Sequence, residues 1–149
     1  MTTLEEKLNE LWEAHIESYN FDLINLQLVM QLKRYVTDTD FADCTLEFHK
    51  VSTVYFVNGF GEGRKRIFPP YEEGSWLELT SIGLIEQSME FHLQAQKNDV
   101  SWFSSRTGGA NIVMEIWGAS LFLECESIII DGEEFIIDES YPPNPSIKD

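Results

Sequence analysis

The sequence predicts a mainly β protein, α+β only at its margin: an antiparallel sandwich or barrel of about eight strands behind one short helix. Three observations carry that prediction. A helical period of apolar residues ends at His15. Beyond it, β-branched and aromatic residues alternate with polar ones at period two. Short turn signals separate the alternating runs, leaving no room for the crossover helices of a parallel sheet.

The helix is expected over about residues 3–15. Thr3 and Glu6 have the spacing of a capping box, in which each side chain satisfies a free N–H of the first turn. Leu4, Leu8, Leu11 and Trp12 share a stripe, while Glu5, Glu6, Glu10 and Glu13 mostly face away. A first strand then runs from Ile16 to Phe21, with a turn at Asp22–Asn25. Leu26, Leu28, Met30 and Leu32 alternate with polar neighbours in the second. Thr37–Asp40 is a loop, and Cys44, Leu46 and Phe48 mark the inward parity of the next strand. A phase change at Lys50–Val51 predicts a bulge, or a second strand through Val54 and Phe56. Further strands are expected at Trp76–Ile85, Ser88–Leu93, Asn111–Trp117, Leu121–Ile130 and Glu134–Ile137. Asp131-Gly132 is a hairpin signal between the last two. Asn58–Ser75, Gln96–Ala110 and the proline-rich tail from Tyr141 to Asp149 read as loops. No linker divides residues 1–149, so one domain is expected.

Charge narrows the function. Ten Lys and Arg against 26 Asp and Glu leave −16 on 149 residues. Holding a nucleic-acid backbone needs clustered cations, so a nucleic-acid partner is excluded, and an anionic membrane surface is disfavoured. The acidic N-terminus lacks the pattern of a secretory peptide, and no apolar run is long enough to span a bilayer. With Cys44 and Cys125 far apart and outside any CxxC spacing, two reduced, buried thiols in a cytoplasmic protein are expected.

Motifs for chemistry are sparse. The glycines of Asn58-Gly59-Phe60-Gly61-Glu62-Gly63 precede Arg64-Lys65-Arg66 and Pro69-Pro70, which leaves no helix N-terminus to cradle a phosphate. Glu-Phe-His occurs at Glu47–His49 and again at Glu90–His92. Residues two apart on a strand share a face, so two such pairs on neighbouring strands form a conceivable zinc ligand set. The parity of Cys44, Leu46 and Phe48, and of Met89, Phe91 and Leu93, instead turns those Glu and His residues to solvent. No metal or other cofactor is therefore expected. No GxSxG turn or cysteine–histidine pairing marks a nucleophile, so no catalytic residues are assigned.

Binding features are richer. Trp102, Phe103 and Arg106 cluster in one loop, and such residues are enriched at interface hot spots. From Glu124 to Glu139 there are seven acids and no Lys or Arg, among them Glu124, Glu126, Glu133 and Glu134. A field of one sign steers a basic protein partner toward such a face.

The stretch Ile16–Asp22, the alternating strand after it and Leu46–Val51 resemble small bacterial β-rich families similar to immunity proteins of polymorphic or contact-dependent toxins. The likeness spans about the first third of the chain. It implies a cytosolic inhibitor that plugs a toxin, often a basic nuclease, by stoichiometric binding; it assigns no site residues. The expected function is a non-catalytic, immunity-type inhibitor of a basic protein. A small-ligand protein, its interior reached near Trp102–Arg106, is the alternative, and a metal-dependent enzyme built on the Glu-Phe-His pairs is the third.

Overall fold

Thr3 opens the only helix among the described residues, which in this computed structural model are 3–58, 76–94 and 105–137, apart from the side chains of 87, 88, 105 and 106. The capping box forms: the Glu6 N–H donates to Thr3 Oγ1 at 3.2 Å, and the Thr3 N–H donates to Glu6 Oε2 at 2.8 Å. The helix, α1, covers only Leu4–Asn9, shorter than the predicted span. It stops because Glu13 takes φ 67° and donates its N–H to the Leu79 carbonyl at 2.7 Å, which draws the chain into the sheet. Leu8 and Leu11 keep the buried stripe, whereas Trp12 is half exposed and anchored through its indole N–H to the Ile82 carbonyl at 2.9 Å.

Nine strands follow among the described residues: β1 (Ala14–Asp22), β2 (Gln27–Tyr35), β3 (Phe41–His49), β4 (Thr53–Val57), β5 (Leu77–Gln94), β6 (Ser105–Ile116), β7 (Ala119–Glu124), β8 (Ser127–Ile130) and β9 (Glu133–Ile136). They form one antiparallel sheet in the order β4-β7-β6-β5-β1-β2-β3-β8-β9. The β1–β2 turn is tied by Asp22, whose carboxylate accepts from the N–H groups of Ile24 and Asn25 at 2.9 and 3.0 Å. Those bonds, the Asn25 N–H foremost, hold the Asp22 carboxyl below its ordinary pKa.

Two bends curl the sheet. β3 passes into β4 through Lys50–Ser52, and β7 passes into β8 through Cys125–Glu126. Since β3 pairs with β8 and β4 with β7, the two bent segments lie side by side and join the wings of the sheet. Three residues (Lys50, Val51, Ser52) face two (Cys125, Glu126) at the bend, so the phase change read at Lys50–Val51 is a bulge, with Lys50 at φ 54°. The Glu126 N–H donates to the His49 carbonyl at 3.1 Å and the Ser52 N–H to the Glu124 carbonyl at 2.8 Å, carrying the ladder across it. The concave face encloses one core, with Leu28, Met30, Leu32, Cys44, Leu46 and Phe48 of β2 and β3 against Ile112, Met114, Leu123 and Ile128. Leu26, expected on the same face as Leu28, is instead a turn residue at φ 54° and 47% exposed.

Three sequence assignments change. Leu121–Ile130 is two strands, because the chain changes pairing partner at Cys125. Trp76–Ile85 and Ser88–Leu93 merge into β5, whose register jumps from Leu84↔Ile112 to Met89↔Ala110. Past that jump β5 pairs with residues 105–110, so the end of the expected 96–110 loop is strand. Met89 and Leu93, assigned inward, are 37% and 51% exposed; past the jump this part of β5 pairs only with residues 105–110 of β6, beyond the β1–β5 pairing that ends at Leu79. Asp131-Gly132 does form the tight turn, with φ of 49° and 87°, joining β8 to β9.

Cys44 and Cys125 are free and buried. Burial, reinforced by the Asp131 carboxylate, pushes the Cys44 thiol up to about 12; burial and then Glu124 push Cys125 up to about 12. Neither thiol is therefore expected to react with a disulfide reagent at pH 8 while the chain is folded, and both react in urea. Because folding disfavours their ionisation, their contribution to stability is intact below the ordinary thiol pKa of 9.0 and declines as pH rises toward about 12. Urea midpoints at pH 7 and pH 10.5, compared with those of a Cys44→Ala/Cys125→Ala variant, test the sign. A wild-type midpoint that is no more alkali-sensitive than the variant's contradicts it.

Candidate partner-binding site

The register jump in β5 builds a cleft. Residues 85–88 of β5 stand opposite Asn111 alone, and the strand swings outward around the gap. The resulting cleft, about 470 Å³, is lined by Glu86, Met89 and Glu90 from β5, by residues 107–111 of β6, and by Glu124 and Ile137. Gly108 and Gly109 give it its depth on the β6 side. A Cβ at 108 would come within 2.8 Å of Thr53 Oγ1, and one at 109 would collide with the Glu124 carboxylate. Asn111 closes the floor: its Oδ1 accepts the Cys125 N–H at 3.1 Å while its Nδ2 donates to the Cys125 carbonyl at 2.7 Å.

The electrostatics are one-sided. Glu86, Glu90 and Glu124 bring three carboxylates to the cleft, whose lining among the described residues has no Lys or Arg. Glu124 Oε1 accepts from Ser52 Oγ at 2.6 Å. A cleft of this kind suits the ammonium or guanidinium end of a long basic side chain, which brings both the opposite charge and several donors.

The acids singled out in the sequence do not converge. Glu124 ends β7 inside the cleft. Glu126 lies at the bend, where its Oε2 is 3.0 Å from Lys50 Nζ. Glu133 and Glu134 stand exposed on β9, with Lys7 3.9 Å from Glu133. Arg106 is on β6 opposite Leu93, and Trp102 and Phe103 lie outside the described residues, as do the glycine-rich and basic run of 59–75 and the proline-rich tail. Glu86 and Glu90 are the site residues that sequence reasoning missed. Glu90 was noticed only for its histidine, and nothing local to Glu86 signals a bulge.

The two Glu-Phe-His tripeptides sit on β3 and β5, which β1 and β2 separate. His49 Nε2 is 3.1 Å from Glu47 Oε1, and His92 Nδ1 is 3.2 Å from Thr107 Oγ1. His15 has other company: it stacks on Trp76 at 4.6 Å between ring centres and touches Tyr35 and Phe41. These side chains come from β1, β2, β3 and the residue before β5, which is why no sequence motif announces the group.

A second concavity, about 400 Å³, is almost wholly apolar and lies between β1 and β2 on one side and β4 and β7 on the other. Ile16, Tyr19, Phe21, Leu28, Val54 and Phe56 are among its walls. Met30, Leu77, Ile116 and Leu121 complete this apolar hollow.

Together these features describe a curled antiparallel β domain with an acidic cleft at a strand irregularity. Among the described residues no helix is long and apolar enough to cross a membrane. The chain belongs to the YxiG-like protein family, whose model matches residues 4–135. No curated protein matches it in sequence.

Proposed function

We propose that this protein is a non-catalytic inhibitor of the immunity type, which binds a basic protein through the acidic cleft and the exposed acids of β9. One observation carries the reading: three carboxylates, Glu86, Glu90 and Glu124, share a cleft whose lining among the described residues has no basic side chain, on a chain of net charge −16. A cleft of one charge sign attracts and orients a partner's cation. The resemblance of the first third of the chain to immunity proteins, and its cytosolic expectation, agree with such a partner.

Charge and anchoring separate kinetically. Long-range attraction speeds encounter, whereas residence depends on buried contacts. The Glu86→Lys/Glu90→Lys variant is expected to slow association at least about tenfold at low ionic strength. Glu133→Lys/Glu134→Lys should act in the same direction with a smaller effect, since those acids are solvent-exposed. Trp102→Ala should leave association nearly unchanged and chiefly raise the dissociation rate. The experiment is recovery of the partner from cells of the source organism, followed by binding kinetics of the three variants. An acidic partner, or cleft charge reversal with no effect on association at low salt, refutes the proposal.

A further inference from the structure

The two edges of the sheet are treated very differently. β9, at one edge, carries Glu133 and Glu134, charges of the sort that discourage strand addition. β4, at the other, reads Thr-Val-Tyr-Phe-Val, with no charge and no proline. Among the described residues no strand pairs with its outer side. An uncharged edge of this composition is a template for another strand.

The edge also adjoins exposed apolar side chains. Leu26 of the β1–β2 turn accepts the Val51 N–H at 2.8 Å, which places the hairpin tip beside the start of β4. The tip and its strand display Tyr19, Phe21, Leu23, Ile24 and Leu26, and β4 adds Val54 and Phe56. Tyr19 is 67%, Ile24 91% and Phe56 56% exposed. With roughly 150–250 Å² for a large side chain, the exposed fractions of these seven come to about 600–1,000 Å² per copy. A stable interface covers about 800 Å² on each partner. The single acid within the patch, Asp22, is already tied to Ile24 and Asn25.

We infer that this face is the interface of a two-fold dimer, in which β4 pairs antiparallel with β4 of a second copy. Self-pairing follows from symmetry. An antiparallel edge turned about a two-fold axis through Tyr55 meets itself in register, with Val54 of one copy opposite Phe56 of the other. Such aromatic and β-branched pairs across strands are favourable ones. A basic partner gains nothing from an uncharged edge, whereas a second copy brings the matching strand and the matching apolar surface. The two chains repel at long range through their −16 charges, so added salt strengthens the dimer.

Sedimentation velocity of the full chain, at tens of micromolar in low and in high salt, tests this. The expected result is a dimer whose fraction rises with salt. Phe56→Lys and Ile24→Lys replace exposed side chains, and each is expected to weaken association at least tenfold while leaving the far-ultraviolet circular dichroism unchanged. Hydrogen exchange at the amides of residues 54–56 should slow as wild-type concentration rises. A monomer in both salts overturns the inference. So does a dimer that survives in both substituted proteins, or exchange at residues 54–56 that ignores concentration. The salt sign separates this dimer from the proposed inhibitor complex: salt weakens binding of a basic partner and strengthens self-association, so either can fail alone.

Discussion

Truncating Phe48 to Ala is expected to destabilise the fold by about 3–5 kcal/mol. Phe48 is 0% exposed and among the largest fully buried side chains. It stands near the end of β3, between Leu28 of β2 and Ile128 of β8, one residue before the strand reaches the Lys50 bulge. Its ring therefore fills the core where three strands meet and where the bend leaves the backbone little freedom to collapse inward. The loss has two parts, the apolar surface no longer withdrawn from water and the cavity that stays open. Urea denaturation with an unchanged slope is the measurement. Phe48→Leu, which restores most of the volume, should recover more than half of the loss. A shift below about 1 kcal/mol for the alanine variant contradicts the assigned packing.

Asn111→Ala is expected to cost about 2–4 kcal/mol, because it unpairs two backbone groups at once. The Asn111 amide serves both the N–H and the carbonyl of Cys125, the residue at which β7 gives way to β8 and which is 0% exposed. Within a continuous ladder a neighbouring strand would satisfy those groups; at a change of partner a side chain must do so. Asn111→Asp keeps the acceptor but loses the donor and adds a charge beside Glu124, so its stability should fall between wild type and alanine near pH 5. It should move toward the alanine value as pH rises and the carboxylate ionises. Equilibrium unfolding and amide exchange at Cys125 read the effect. Unchanged exchange at Cys125 in Asn111→Ala rules out the bridging role.

Local features were legible in the sequence because their causes are local. The Thr3–Glu6 box, the buried parity of Cys44, Leu46 and Phe48, and the Asp131-Gly132 turn each follow from spacings of a few residues. The mainly antiparallel β architecture follows from them. The helix was read too long because Leu11 and Trp12 continue its stripe, while a backbone bond from Glu13 to β5 ends it. Leu121–Ile130 was read as one strand because its alternation hardly changes at Cys125; only the choice of partner does. The cleft was invisible for the same reason. A register jump involves two strands, and Glu86 looks like any surface acid until the strand across from it is known. Glu124 was singled out as part of an acidic run, and the structure places it in the cleft while scattering its companions.

The paired bends have a consequence for how the chain finds its structure. β1, β2 and β3 are successive hairpin neighbours, as are β5, β6 and β7, so each meander closes over short sequence distances. The pairings of β3 with β8, of β4 with β7 and of β1 with β5 instead join residues about 60–80 positions apart, and loop-closure entropy places such contacts late. Two preformed meanders must therefore meet both where β1 joins β5 and along the seam of the paired bends, and until they do, the faces bearing Leu46, Phe48, Ile112 and Leu123 lie open to water. The Lys50 bulge and the Asn111–Cys125 bridge both lie on that seam. They set the alignment in which the halves lock, and errors there would appear as slow or misrouted folding before they appeared as lost native contacts.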